Sequence, residues 1–283
     1  MRVAPVLKGY HPVVYPTVPK KYDGSQPVDE NLIITPRYEK YLLHNPDVLM
    51  DRIMFLRVMA ELTHKPRDRS RSFSASSAGY CLRRQELAFT GQQQNQVADP
   101  RGIRIFNNGT FVHLRWQIGL LGAEIIDDIE YKVTSSKLRA RANLDGLGKA
   151  LGGRWDGADF VWEHKGRMSF VWSKQDRAGV PDEKTRKQTD MQLLLTGFDL
   201  AAVTNENKDT QEISEFVLER DESRISEARK ELKALNRAVD RQVLHPMLAE
   251  CVKQNKSGEF YKCPFGTPGG ACVNSGSWPA RTR

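Results

Sequence analysis

Apolar positions change their period several times along the chain, and each change marks an element. Residues 1–45 carry Pro5, Pro12, Pro16, Pro19, Pro27 and Pro36, a spacing that excludes a long helix and predicts an extended arm laid over the domain. Val13, Val14, Tyr15, Ile33 and Ile34 give that arm apolar side chains to pack with. Asn45-Pro46 has the chemistry of an N-cap and first helical residue, so a helix is expected over 47–63, with Leu49, Ile53, Leu56 and Ala60 on one face. The linker 64–71 is basic and contains a proline. A short helix capped by Ser76 or Ser77 then carries Cys81, Arg83 and Arg84 and ends at Thr90-Gly91, before a polar loop at 92–96. Residues 106–121 predict a helix entered from Asn107-Asn108-Gly109. Its buried stripe is Phe111, Leu114, Ile118 and Leu121, and His113 lies one position off it.

Beyond that helix the pattern turns to strands. Residues 124–131 and 138–145 read as extended, the second with Arg139 and Arg141 on it. A Gly-rich segment, 146–157, leads to a further strand over 159–165, where Phe160, Val161 and Trp162 favour extension. Two strands joined this way are expected to be antiparallel. Residues 168–172 predict a third strand and 173–182 a loop, because Gly179 and Pro181 interrupt it. A helix is expected over 183–196, strands over 200–204 and 212–218, and a long helix over 221–243. The last has a seam of Ile225, Ala228, Leu232, Leu235 and Val239 and stops before Pro246.

Composition changes this picture little. The chain has 283 residues, 39% of them hydrophobic, enough for one large domain with a real core. No apolar run approaches the ~18 residues of a membrane span, and the first residues lack the apolar centre of a signal peptide, so a cytosolic protein is expected. Charge adds more. With 43 basic against 35 acidic residues the formal charge is +8, which favours a polyanionic partner. Basic side chains gather at Lys65, Arg67, Arg69 and Arg71, at Arg83 and Arg84, and at Lys253, Lys256 and Lys262. Along a DNA groove they would act by counterion release.

The densest chemistry lies in Asp145-Gly146 and Trp162-Glu163-His164-Lys165-Gly166. Side chains alternate along a strand, so Glu163 and Lys165 share one face and His164 takes the other. Hard oxygen ligands from Asp145 and Glu163 suit Mg²⁺ or Mn²⁺, which keep positions open for water and phosphate. Such an ion lowers the pKa of bound water, and Lys165 would orient that water and stabilise charge in the transition state. Asp156-Gly157 is the rival aspartate. It stands only seven residues before Glu163, too near to span a hairpin and return.

The order Asp145, then Glu163-His164-Lys165, resembles the PD-(D/E)XK nucleases. With Gly109-Thr110-Phe111-Val112-His113 upstream and Lys187-Gln188-Thr189-Asp190-Met191-Gln192 downstream it looks like their RecB-type branch. Ser74-Ala75-Ser76-Ser77-Ala78-Gly79-Tyr80-Cys81-Leu82-Arg83-Arg84 is similar to the Cys-x-Arg-Arg opening of the iron–sulfur members, which include CRISPR-adaptation nucleases, the AddB subunit and phage exonucleases. Asn207-Lys208-Asp209-Thr210 also looks like the phage group.

The resemblance implies an α/β fold of restriction-endonuclease type. A central mixed sheet would be flanked by helices and followed by a C-terminal helix and Cys-rich loop. Residues 71–283 would form this nuclease domain and 1–70 an added arm and helix. The implied activity is a metal-dependent DNA exonuclease of phage recombination, replication or processing, in the cytoplasm of a bacterial host, with DNA as its partner and a recombination protein as a candidate second one. The alternative is an inactive DNA-binding or assembly subunit. By the same resemblance His113 is a further metal ligand and Gln188 supports Lys165. The family has Tyr four residues after that Gln, where Gln192 stands here. Either Gln188 is the motif glutamine, or Gln192 is and Thr196 replaces the Tyr. Arg83, Arg84, Arg139 and Arg141 are the candidate DNA contacts.

The four cysteines, Cys81, Cys251, Cys263 and Cys272, follow the one-early, three-late order of the iron–sulfur members, in which a 4Fe–4S cluster ties the domain ends together. The spacing departs from the family, with eleven and eight residues between the last three. A tetrahedral zinc or four separate thiols are the alternatives.

Overall fold

The computed structural model describes residues 30–45, 55–56, 58–60, 71–92, 100–248, 263, 265 and 272. Its centre is a six-stranded mixed sheet of β1 (Phe73–Ser74), β2 (Asp128–Ser135), β3 (Ala140–Lys149), β4 (Asp159–Arg167), β5 (Leu200–Asn207) and β6 (Ile213–Glu219). The path runs β1-β3-β4-β5-β6, and β2 pairs with β3 off that path. The expected antiparallel pairing of β3 with β4 is present, with Gly146 opposite Trp162. β4 and β5 are parallel, so the chain between them must cross over a face of the sheet.

Helices cover both faces. On one side pack α1 (Thr35–His44) and α3 (Pro100–Gly122), around Tyr38, Trp116, Ile118, Leu120, Phe160 and Trp162. On the other lie α5 (Glu183–Thr196) and α6 (Glu222–Arg241), around Met191, Leu193, Val161, Ala201, Ile225, Leu232 and Leu235. With both faces covered, β4 and β5 are buried continuously along most of their length rather than at alternate positions, and in each an apolar stretch gives way to polar residues. None of the described helices is long and apolar enough to cross a membrane.

Local chemistry explains where several elements begin and end. The Asp182 side chain caps α5 by accepting from the Thr185 N–H at 2.9 Å, and Gly197 ends the helix in a left-handed conformation. Asp221 caps α6 by accepting from Ser223 N–H at 2.8 Å. The seam expected on α6 is present, with Ile225, Leu232 and Leu235 buried.

Other elements depart from the sequence reading. Residues 168–172 do not form a strand but open α4 (Ser169–Ala178), which also takes most of the expected loop. Phe170-Val171-Trp172 fits a two-residue period locally. The crossover to a parallel strand overrides it, and Phe170 is left 79% exposed. β3 continues through Gly146 and Gly148 to Lys149, so the loop begins only at Ala150. A Cβ at Gly148 would lie 2.4 Å from the Ile125 carbonyl, so glycine here serves close strand packing rather than a turn. The α3 helix starts at Pro100; of its expected stripe Leu114, Ile118 and Leu121 are buried, and Phe111 alone departs, at 67% exposed. The helix over 47–63 is described only in part. Residues 55–56 and 58–60 are helical, but Val58 is buried where Leu56 and Ala60 were expected, and Leu49 and Ile53 lie outside the described residues.

The end of the arm is a helix rather than extended chain, because Pro36 falls in the first turn of α1, where its missing N–H costs nothing. The cap of α1 comes from 180 residues away. The Glu215 carboxylate accepts from the N–H groups of Ile33, Ile34 and Thr35 at 2.8, 2.9 and 2.7 Å. Tyr38 then stacks on Trp116 at 4.6 Å and lies against Gly119, where a Cβ would approach its ring to 2.5 Å. Glu215→Ala leaves those three donors without a partner and should cost about 2–3 kcal/mol. Chemical denaturation checks this; a change below about 0.5 kcal/mol would mean that α1 is held by its apolar face alone.

Candidate active site

The ladder between β3 and β4 stops at Gly146 and Trp162, and beyond that point the strands part. At the fork the His164 N–H, which a ladder partner would otherwise take, donates to Asp145 Oδ2 at 2.8 Å. Asp145 thus replaces a backbone acceptor with its side chain. Glu163 and Lys165 follow on β4, one on each side of His164.

A distortion shapes the fork. Ile129 and Gly146 face the α1/α3 side of the sheet, whereas Val133, Ala142 and Leu144 face the α5/α6 side. Both paired strands therefore reverse faces at Glu130 and Asp145. Glu130 has φ of +50°, in the left-handed region that breaks the pleat. The buried Gln117 of α3 spans the break, donating to Glu130 Oε1 and to the Asp145 carbonyl, both at 3.1 Å.

Lys165 Nζ lies 2.5 Å from Glu163 Oε1 and donates to Gln188 Oε1 at 3.2 Å. Gln188 Nε2 donates to Glu163 Oε1 at 2.8 Å, and Gln192 Nε2 to Glu163 Oε2 at 2.6 Å. Gln188 and Gln192 are four apart on α5, so one helix face brings both amides to Glu163. Each donates to one oxygen of the same carboxylate. The Thr196 hydroxyl donates to the Gln192 carbonyl at 2.9 Å and accepts from the Phe198 N–H at 3.2 Å.

The other face of β4 carries His164, fully buried and tilted against Trp116. Thr204 Oγ1 accepts from the Trp162 indole and bonds His164 Nδ1, both at 2.9 Å. Burial pushes the His164 pKa well below its ordinary value, so the ring is neutral. His113 stands edge-on to that ring at 5.3 Å, with its Nδ1 3.5 Å from Asp145 Oδ2.

Charge is unevenly matched here. Burial, then repulsion from Glu163, raises the Asp145 pKa to about 7. Burial works against the Lys165 charge, but attraction to Glu163 and Asp145 outweighs it and raises the pKa above the ordinary lysine value. Lys165 therefore stays protonated at neutral pH and acts as a donor. Two carboxylates share one ammonium, so the centre is short of positive charge. Among the described residues no three His, Cys, Asp or Glu side chains converge as a cage. The donor set fits an ion held by Asp145 and Glu163 with water in its remaining positions, the way Mg²⁺ is commonly bound.

The remaining candidates lie elsewhere. Asp156 is exposed and accepts from the Gly152 N–H at 2.6 Å, so it shapes the β3–β4 loop. Arg83 is not presented to a ligand: it is 8% exposed, and its guanidinium donates to the His245 and Cys272 carbonyls at 2.9 and 3.2 Å. Arg84 stacks on the Tyr80 ring at 3.5 Å. Arg139 pairs with Asp240 at 2.7 Å, and Arg141 is half-buried in β3. Cys81 caps α2 (Leu82–Phe89) by accepting from the Arg84 N–H at 3.4 Å. Cys263 and Cys272 join Leu87 and Phe265 in a small apolar cluster. These three thiols form no three-donor group, and Cys251 lies outside the described residues. Among the described residues no cluster site is formed.

Sequence reasoning missed Gln117, Glu130, Trp116, Thr204 and Glu206. All depend on contacts between distant segments, and no local pattern marks them.

No family model matches the sequence, and no curated protein matches it. Among solved structures it is similar to the alkaline exonuclease LHK-Exo from Laribacter hongkongensis, at 18% identity and a TM-score of 0.44, over 67% of this chain and 95% of that one. The same exonuclease in complex with dAMP is 16% identical with a TM-score of 0.45, over the same shares of the two chains. SSO0001 is 17% identical with a TM-score of 0.38, over 66% of this chain and 86% of that one.

Proposed function

We propose that the chain is a divalent-metal-dependent deoxyribonuclease of the PD-(D/E)XK type, acting from DNA ends. The observation that carries the reading is the meeting of Asp145, Glu163 and Lys165 at the strand fork, with Lys165 held protonated between carboxylate and amide. Mg²⁺ or Mn²⁺, when bound, would supply an activated water and offset phosphoryl charge. The protein's part is to hold the reacting groups. Asp145 and Glu163 bind the ion, and His113, beside Asp145, is a further ligand or phosphate contact. Gln188 and Gln192 fix the Glu163 carboxylate in one rotamer. Lys165 donates to the water or a phosphate oxygen and stabilises negative charge as the bond to the leaving oxygen breaks.

Incubation with end-labelled linear DNA and with closed circular DNA tests this. Linear DNA should be lost only with Mg²⁺ or Mn²⁺, and circles should persist. Cutting of circles would replace the exonuclease reading by an endonuclease one, and intact linear DNA with either ion would favour a DNA-binding subunit.

The 4Fe–4S cluster is a separate proposal that rests on the sequence order of the cysteines. Anaerobically purified protein should then be brown and absorb near ~400 nm. A colourless, iron-free preparation would leave Cys81, Cys263 and Cys272 as thiols that cap and pack.

A further inference from the structure

On the side of α3 turned away from Asp145 lies a cavity of about 440 Å³, lined in part by Phe55, Phe111, Arg115, Glu206, Lys208 and Gln211. We infer that it is a second nucleic-acid subsite: it holds one unpaired nucleotide of a strand, with the base on Phe111 and the phosphate on Lys208. The inference rests on the nuclease reading for the strand's presence, but not for the pocket's chemistry.

Three observations carry it. The first is position. His113 and Arg115 are two residues apart on α3, about 200° around the helix. One reaches Asp145 and the other Glu206. The helix thus divides the catalytic fork from the cavity, and a nucleotide in the cavity is not the one being cut. Both places adjoin the same strand ends, because Lys208 lies over Gly166, where a Cβ would approach its Cε to 2.6 Å. A strand passing the fork need travel only a short way to reach the cavity.

The second is charge. The Glu206 carboxylate is already satisfied by Arg115 and by the Trp116 indole at 2.5 Å. Lys208 is half-buried, and among the described residues its ammonium has no hydrogen-bond or ion-pair partner. A phosphate would supply one. The third is shape and surface. Phe111 is 67% exposed and Phe55 39%, unusual for two aromatic rings at the rim of one cavity. Aromatic faces beside a cation are the recurring chemistry of sequence-tolerant single-strand binding. Gln211 and Asn108 add amides at the same rim. The volume lies in the range of small-ligand sites.

Fluorescence anisotropy with a labelled oligothymidylate, in chelator so that nothing is cut, tests the subsite. Phe111→Ala should weaken binding roughly ten-fold or more, and Phe111→Tyr should restore it. Lys208→Gln should weaken binding and lower the salt slope by about one counterion, which Lys208→Arg should recover. Because Phe111 and Lys208 are outside the core, melting curves of these variants should match the parent. Affinities within two-fold of the parent, with an unchanged salt slope, would overturn the subsite. Digestion of linear DNA by the parent, run alongside, keeps the two readings apart. If the parent cuts while the variants bind as it does, only the subsite falls. If the parent never cuts, the nuclease reading falls, and the affinity comparison still decides the subsite.

Discussion

Asp145→Asn should abolish hydrolysis and at the same time make the metal-free protein more stable. On the proposed function the loss follows from removing one of the two carboxylates proposed to hold the metal ion. An effect of ~4 kcal/mol on transition-state charge is on the order of a thousand-fold in rate. The gain follows from linkage. In the folded chain Asp145 keeps its proton to about pH 7, against an ordinary value of 3.8. Below pH 3.8 both folded and unfolded chains carry the proton, and there is no penalty. Between pH 3.8 and about 7 only the unfolded chain releases it, so stability falls as pH rises, and the loss is complete above that range. Asparagine has no proton to lose and can still accept from the His164 N–H.

A shift of this size corresponds to at most ~4 kcal/mol. Asp145 and Glu163 share the repulsion and the site is partly open to water, so a gain of about 1–2 kcal/mol is expected at pH 8, or roughly 3–6 °C in melting temperature. On the proposed function, Mg²⁺ or Mn²⁺ should raise the melting temperature of the parent, and the variant should lose that rise. Melting curves in chelator between pH 4 and 8 check this. A parent whose stability is flat across that range, or a variant that melts lower at pH 8, would refute the account of the fork.

Lys165→Ala should act in the opposite sense on stability. Glu163 is 1% exposed, and without the ammonium it keeps only the two glutamine amides. An uncompensated buried carboxylate costs several kcal/mol; because the Lys165 side chain is itself partly open to water, about 2–3 kcal/mol is expected here. The sign agrees with the raised Lys165 pKa: its contribution is fully present below the ordinary lysine value and is lost only as pH rises through the higher folded value, far above neutrality. The rate should fall about 10²- to 10³-fold, the usual cost of removing a fixed donor to developing charge. Affinity for Mn²⁺, read by calorimetry, should hold or rise, because the carboxylates lose a competing cation. The two variants are therefore told apart without an activity assay. A Lys165→Ala protein that cuts within ten-fold of the parent would remove Lys165 from the chemistry.

Between them these variants separate the parts of the centre that were legible in the sequence from those that were not. Alternation alone put Glu163 and Lys165 on one face of their strand; Asp145 could be singled out only as the acid that closes the preceding extended run, in the order that resembles the nuclease motif. The support could not. Gln188 and Gln192 could be assigned to one helix face, but that both reach Glu163 depends on how α5 lies across β4. Gln117 bridges Glu130 and the Asp145 carbonyl only because both strands reverse faces at that point. Arg83 looked like a DNA contact from its basic neighbours. Its partners are the carbonyls of His245 and Cys272, more than 160 residues away.

What the sequence determined by itself is what short-range physics controls. Caps at Asp182 and Asp221 set helix starts, Gly197 sets a helix end, and two-residue alternation puts Glu163 and Lys165 on one face with His164 on the other. The tertiary structure decided whatever required two distant segments to meet: the fork between β3 and β4, the capping of α1 by Glu215, the helical crossover that replaced an expected strand, and the exposure of Phe111. Periodicity reports which side chains share a face. Only packing decides what that face meets, because the energy of burying a charge or an apolar ring belongs to its neighbours and not to its position in the chain.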